Sequence, residues 1–287
     1  MSERDSRWRA GGGRPAAVGM VLAAAASLQV GAAFAVGLFD ELGAGGAAFL
    51  RLAFAAAVLW ALWRPRPGAH ARRSLRTAAA FGVALGLMNW SIYEAIARIP
   101  LGVAVTIEFA GPLLVAVLGS RRPLDALWIA LAAAGIVLLA DPGGGADTLG
   151  VLFALLAAAC WMAYIHLSER TGQAFGGGTG LALAMAVGAL LLVPAGVVQA
   201  GSALLEPELL VVALAVALAS SVLPYSLELE ALRRLPAAVF GVLMSLQPAV
   251  AALAGLVVLG QSLGAREWLA IALVVVASAG AAAFSAR

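Results

Sequence analysis

At 287 residues, 63% of them hydrophobic and only 11% charged, the chain has too little polar surface to cover a water-soluble globule of its size. Its net charge of +3 rests on arginine alone, and nearly all the arginines lie in short segments between apolar runs, which is a topology signal and excludes a nucleic-acid-binding stripe. Without lysine there is no Gly-Lys-Ser/Thr phosphate loop, the histidines His70 and His166 lack metal-ligand spacing, and the single Cys160 allows no intramolecular disulfide, so no cofactor, metal or direct ATP-driven step is expected.

A membrane-crossing helix needs about 20 mostly apolar residues. Ten such runs occur, at 17–37, 44–63, 77–97, 101–119, 124–140, 149–168, 180–199, 208–229, 237–259 and 264–284. They are too long and continuous for barrel strands, so an all-α membrane protein of ten transmembrane helices is predicted. The tail before the first run carries Arg4, Arg7, Arg9 and Arg14, and the run has no cleavage site, which makes it a retained first span. That span carries Gln29, and span two carries Arg51. Span three puts Gly82, Gly86, Asn89 and Tyr93 on one helical face with Trp90 beside them. The glycines suit close helix packing, whereas a mid-membrane amide such as Asn89 needs hydrogen-bond partners.

Span four carries Glu108, roughly 10 Å below its outer end at about 1.5 Å per residue, and Pro112. A proline offers no amide to the carbonyl four residues earlier. Pro112 therefore frees the carbonyl of Glu108, and Pro248 on span nine frees that of Met244. In lipid such groups persist only against protein or a water-filled cavity, so both kinks are expected to face inward. Arg51 reaches a similar depth to Glu108, and each charge is too costly to bury alone, so a structural Arg51–Glu108 ion pair is expected. Span six offers Trp161, Tyr164 and Ser168 on one face, with His166 as an interfacial residue near the cytoplasmic end. Pro224, Tyr225 and Glu228 lie on span eight, and Gln247 stands beside Pro248. Glu94 and Glu230, next to loop arginines, read as solvated helix-end pairs, and the glycine runs at 43–46, 143–145 and 176–178 as helix stops.

With the N-terminus inside, fifteen of the eighteen arginines fall in the two termini and in alternate connections on that side, as expected of cytoplasmic segments. Both termini are thus expected in the cytoplasm. Glu94-Ala95-Ile96-Ala97-Arg98-Ile99-Pro100 matches Glu230-Ala231-Leu232-Arg233-Arg234-Leu235-Pro236 at an offset of 136, which also carries Pro112 onto Pro248. The chain then divides into two five-helix repeats, 1–145 and 146–287. An odd number of spans inverts the second against the first, the architecture of secondary transporters that bind at the bilayer midplane.

The candidate substrate-binding residues are Gln29, Asn89, Trp90, Tyr93, Glu108, Trp161, Tyr164, Tyr225 and Gln247, with helix kinks at Pro112, Pro224 and Pro248. Asn89, Trp161 and Tyr164 can donate to a carboxylate; Glu108 or the freed carbonyls can accept from an ammonium. For Gln29, Tyr225, Glu228 and Gln247, hydrogen bonding between helices is the competing role.

The stretches Gly86-Leu87-Met88-Asn89-Trp90, Ile99 through Pro112 and Ser120-Arg121-Arg122-Pro123, with Leu223-Pro224-Tyr225-Ser226-Leu227-Glu228 and Phe240 through Ala249, resemble the threonine/homoserine exporters among the EamA-type drug/metabolite transporters. One departure falls at 244–248, where Gln247 stands and an acidic residue is expected one position earlier. The resemblance implies two inverted EamA-type repeats around a central cavity in the bacterial inner membrane. It implies export of small amino acids; the expected substrates are small and neutral, moved by alternating access through a monomer rather than an obligate oligomer, with proton coupling left open. An exporter of aromatic or broader amino-acid sets is the alternative, and an intramembrane enzyme acting on a lipid is the rival from another class. If the ten-span reading holds, reporter fusions at residues 1 and 145 will read out on opposite sides of the membrane; the same side for both would remove the inversion.

Overall fold

A computed structural model describes residues 13–65, 71–118, 124–140, 147–232, 234–235 and 237–285. Every regular element among them is helical. We number the helices α1 (Gly13–Val36), α2 (Phe39–Trp63), α3 (Arg72–Ile96), α4 (Leu101–Glu108), α5 (Ala110–Leu118), α6 (Leu124–Ala140), α7 (Thr148–Ala174), α8 (Thr179–Ala200), α9 (Pro207–Ala217), α10 (Leu223–Leu232), α11 (Ala237–Met244), α12 (Gln247–Leu259) and α13 (Ala265–Ser285). Among the described residues eight stretches are long and apolar enough to cross a membrane, and Leu101–Val115 and Ala126–Leu139 are shorter apolar helices. Large side chains such as Val198 and Val257 stand 83% and 80% exposed on the outside, a surface suited to lipid and not to water.

The apolar runs map onto these helices, with differences where local chemistry intervenes. The second run was expected to begin at residue 44, with the glycines at 43–46 as a helix stop, yet α2 starts at Phe39. Only Gly43 leaves helical geometry, at φ +66°, a conformation that costs glycine little. Gly45 and Gly46 continue the helix, because the missing side chains let α2 close on Gln199 and Ala200 of α8. The sixth run extends past Ser168 to Ala174, and its start is fixed by Asp147, whose carboxylate accepts from the amides of Leu149 and Gly150 at 2.8 and 3.0 Å. Gly177, at φ +58°, makes the turn into α8 as expected, while the glycines at 143–145 and Arg121 and Arg122 lie outside the described residues.

Three apolar runs are interrupted. The fourth breaks at Phe109 into α4 and α5, the ninth at Ser245 and Leu246 into α11 and α12. Both breaks come within four residues before a proline, Pro112 or Pro248, where the amide ladder has lost a donor. The eighth run contains a π-helical segment, Leu218–Val222, between α9 and α10, just ahead of Pro224.

Small residues set how closely these helices approach. Helix α2 runs along α8, and α3 lies against both α7 and α8. A Cβ on Gly82 would fall 2.5 Å from the carbonyl of Ala184, and one on Gly86 would fall 3.0 Å from the Cα of Gly188. Helix α1 packs on α10 and α12, α4 on α12 and α7, and α6 on α13. At the α4–α12 crossing a Cβ on Gly102 would sit 2.7 Å from the Cα of Ala252. Since backbone cannot yield there, Gly102→Val is expected to cost about 1–3 kcal/mol through overpacking. Gly172, with nothing within 4 Å of its would-be Cβ, should accept alanine without loss; thermal unfolding of the two variants in detergent compares them.

Candidate functional site

The broken fourth and ninth runs, together with α1, α2, α3, α7, α10 and α13, enclose a cavity of about 520 Å³, within the range of small-molecule sites. Glu108, Phe109 and Pro112 bring the first break to its wall, and Met244, Ser245 and Gln247 bring the second. Both kinks thus turn inward, although Pro248 itself lies behind Gln247 and does not line the space.

Each wall has its own polar complement. On α3, Asn89 is 3% exposed and its Nδ2 donates to the carbonyl of Leu85 at 2.8 Å, which leaves the amide oxygen for the cavity. On α7, the ring of Trp161 meets Phe109 edge-on at 5.0 Å and that of Tyr164 leans on Phe81 at 5.0 Å. The indole N–H and the phenol of these two make no hydrogen bond among the described residues. Gln29 of α1 donates through Nε2 to Oε1 of Gln247 at 3.1 Å, and Gln247 passes its own Nε2 toward the sulfur of Met244 at 3.6 Å. That satisfies the interhelical role for this pair while both still line the cavity. Tyr225 and Glu228 complete the lining from α10.

The expected Arg51–Glu108 ion pair is absent. Both line the cavity, but the guanidinium of Arg51 is held elsewhere. Nε donates to Ser221 Oγ at 3.0 Å, Nη2 to the carbonyl of Ser220 at 2.7 Å, and Nη1 to the hydroxyl of Tyr93 at 3.3 Å. Its carbon also lies 5.4 Å from the centroid of the Tyr93 ring. The reason is backbone chemistry: the amide that would serve the Ser220 carbonyl in an α-helix belongs to residue 224, a proline, so this carbonyl is open to an outside donor. The carboxylate of Glu108 has no hydrogen bond or ion pair among the described residues.

Trp90 also departs from its expected place. One residue after Asn89, it points about 100° further round α3 and packs edge-on against Phe153 at 5.5 Å, away from the cavity, with its indole N–H buried and unpartnered. Pro224 acts through Ser220 and does not line the space. His166 bonds the carbonyl of Met162 within its own helix, and Glu230 pairs with Arg234 at an exposed helix end, both as expected of peripheral groups. Glu94 does not: it is 5% exposed, pairs with Arg98 at 2.6 Å and accepts from Gln199 Nε2 at 2.9 Å. Burial by α8, a partner that chain position does not reveal, is what removes it from solvent.

Ser220, Ser221, Ile92, Ile96 and Phe240 escaped the sequence reading. The first could have been found by applying the missing-amide rule to Pro224 as to Pro112; the apolar residues carry no signal that separates them from core. Ile96 lines both the cavity and a second, more open hollow of about 970 Å³, walled by Asp40, Glu41, Glu94, Arg98, Gln199 and Gln261. Gln199 Oε1 accepts from the amide of Gly45 at 2.6 Å and Gln261 Oε1 from that of Leu101 at 3.0 Å, so helix ends gather tightly around this hollow. Among the described residues no group of three His, Cys, Asp or Glu could hold a metal ion.

Known proteins share this organisation. A solved crystal structure with 22% sequence identity superposes at a TM-score of 0.62 over 96% of this chain and 98% of its own, which shows the fold. The model of the EamA-like transporter family matches residues 148–282. The threonine/homoserine exporters RhtA of Escherichia coli (strain K12) and Salmonella typhimurium (strain SL1344) are each 42% identical over 264 residues, 91% of this chain and 89% of theirs. Its apolar helices and these relatives make it a multi-pass bacterial membrane protein and a transporter, not an enzyme. The likeness over nine-tenths of its length leaves one conclusion: this chain belongs to the EamA-like transporter family.

Proposed function

We propose that the protein exports small neutral amino acids of the threonine and homoserine kind across the bacterial inner membrane by alternating access. The observation that carries this reading is the likeness to exporters of threonine and homoserine over nearly the whole chain, joined to a cavity whose wall carries both a guanidinium and carboxyl groups. The substrate-binding set is Gln29, Asn89, Tyr93, Glu108, Trp161, Tyr164, Tyr225 and Gln247, all of which line that cavity. Glu108 and the kinks before Pro112 and Pro248 take the ammonium, while Asn89, Trp161 and Tyr164 serve the polar remainder of the substrate.

In this reading the chain crosses the membrane ten times, as two inverted five-helix repeats, 1–145 and 146–287, with both termini cytoplasmic. The pattern of helix contacts supports it. Shifting each span by five exchanges the α3–α7 packing for the packing of α10 against α1, and maps the pairs α2–α8, α4–α12 and α6–α13 onto themselves. The ion pairs Glu94–Arg98 and Glu230–Arg234, at 2.6 and 2.5 Å, also correspond across the offset. The cavity reaches Ser168, Glu228 and Ala282, near the helix ends assigned to the cytoplasm, and the hollow behind Ile96 lies at the opposite ends. The conformation therefore suits loading from inside. Release follows when the ends at Gly45, Glu94, Leu101, Gln199 and Gln261 part, and the cytoplasmic ends close.

An aromatic or broader amino-acid range is the second reading, favoured by the Phe109–Trp161 wall. Proteoliposomes loaded with labelled threonine, homoserine, methionine or phenylalanine, with and without an imposed pH gradient, separate the two readings and report any proton coupling. The proposal expects threonine and homoserine to leave fastest; release of none above protein-free vesicles would end it. Glu108→Gln should raise the KM for threonine by about tenfold or more, the weight of one charge-assisted hydrogen bond, with membrane levels unchanged. Intact export from a less stable Glu108→Gln protein would instead make Glu108 a structural residue.

A further inference from the structure

We infer that Arg51 is the anchor for the carboxylate of the transported molecule, a specificity role that rests on the export reading above and deepens it. The guanidinium carries five N–H donors. Three are committed, one each from Nε, Nη1 and Nη2, to Ser221 Oγ, the Tyr93 hydroxyl and the Ser220 carbonyl. One N–H on each terminal nitrogen is left over, in a side chain that lines the central cavity while only 5% of its residue surface is exposed. All three acceptors are neutral. Among the described residues no carboxylate forms an ion pair with Arg51; Glu108 lines the same cavity and acts on it through space, without a bond. A buried cation is expensive unless it is paired or bonded to carbonyls, and charged side chains inside a membrane that face a cavity mark substrate or ion paths.

The mounting of Arg51 is as informative as its charge. Its Nη2 is fixed by a carbonyl that exists as a free acceptor because Pro224 lacks an amide, in the only π-helical segment among the described residues, and such segments recur at functional sites. The Tyr93 ring lies beside the guanidinium and closes another side of it. Held at these points, the side chain cannot swing away, and its unspent donors are preorganised for a carboxylate, which guanidinium matches in shape as well as sign. Glu108 and Glu228 line the same cavity and likewise make no ion pair among the described residues. The cavity thus holds a guanidinium and carboxyl groups that are not bonded to one another, the arrangement that a zwitterion would bridge. A guanidinium serving solely to tie α2 to the eighth run would need its three bonds, but would be indifferent to whether a ligand carries a carboxylate.

Competition for labelled threonine flux in proteoliposomes tests that indifference. Against the wild-type protein, unlabelled threonine should compete at least about tenfold better than threoninamide or 2-aminoalcohols, which keep the ammonium and lose the carboxylate. Arg51→Gln should bring threonine and threoninamide to within about twofold of each other, while Arg51→Lys, which keeps charge but loses the fork, raises the KM for threonine several-fold and leaves Vmax near wild type. Should Arg51→Gln not reach the membrane, the wild-type series and Arg51→Lys decide the matter. Threoninamide competing as well as threonine against the wild type, or an Arg51→Gln protein that retains the full preference, would overturn the anchor while leaving export standing. No threonine flux by the wild type at all would overturn the export reading, and the anchor with it.

Discussion

A backbone carbonyl stripped of its amide partner has no water to turn to inside a bilayer, and unsatisfied groups there cost several kcal/mol each. Pro112, Pro224 and Pro248 create this problem in three apolar runs, and the chain meets it in two ways. Ahead of Pro112 the helix is cut at Phe109; ahead of Pro248 it is cut over Ser245 and Leu246; ahead of Pro224 it widens into a π-helical turn whose Ser220 carbonyl takes the guanidinium of Arg51. Both cuts border one cavity, and the π-helical turn reaches it through Arg51. The cavity is therefore the place where irregular backbone is tolerated, and the irregular backbone is what brings Glu108, Gln247 and Arg51 to its wall.

Close packing elsewhere makes this possible. Glycine and alanine let α2 and α3 run almost in backbone contact with α8, and α5 with α7, so that helices too apolar to be driven together in lipid gain dispersion contacts instead. Aromatic bulk also walls the cavity, where Phe109 meets Trp161 and Tyr164 leans on Phe81. Aromatic faces with polar tips surround a space in which the unspent hydrogen-bonding capacity of Asn89, Trp161 and Tyr164 is left for a ligand, and a zwitterionic ligand can meet both the guanidinium and the carboxyl groups.

Behind Ile96, hydrogen bonds from Gln199 to Glu94, from Gly45 to Gln199 and from Leu101 to Gln261 close the far end. In the proposed cycle these must part. Each neutral bond is worth about 0.5–1.5 kcal/mol net, and a bond to a charged group about 1.5–3, so the closure is of the order of the differential binding energy a small substrate can supply. The Glu94–Arg98 pair is four residues apart on one stretch of chain and can persist through the movement. The clamp thus lies in the Gln199 and Gln261 side chains, which reach between helices.

The sequence by itself determined the membrane, the helices and much of the cavity wall: apolar runs of spanning length, mid-membrane polar residues and the missing amides of Pro112 and Pro248 are local facts, and they pointed inward correctly. Of the nine candidate residues, eight reach the cavity, because a polar group deep in a span has few other places to be satisfied. What chain position could not supply was the partner. Pro194 sits within α8 with the helix unbroken and its ring exposed, so a proline alone does not announce a break. Trp90 turned to Phe153 because one residue along a helix is a different face. Glu94 was drawn inside by Gln199, 105 residues away. Arg51 found Ser220 and Ser221, about 170 residues away, in place of Glu108, since the nearest opposite charge by depth is not the nearest acceptor in space. Those choices belong to the packing of one helix against another, which only the tertiary structure decides.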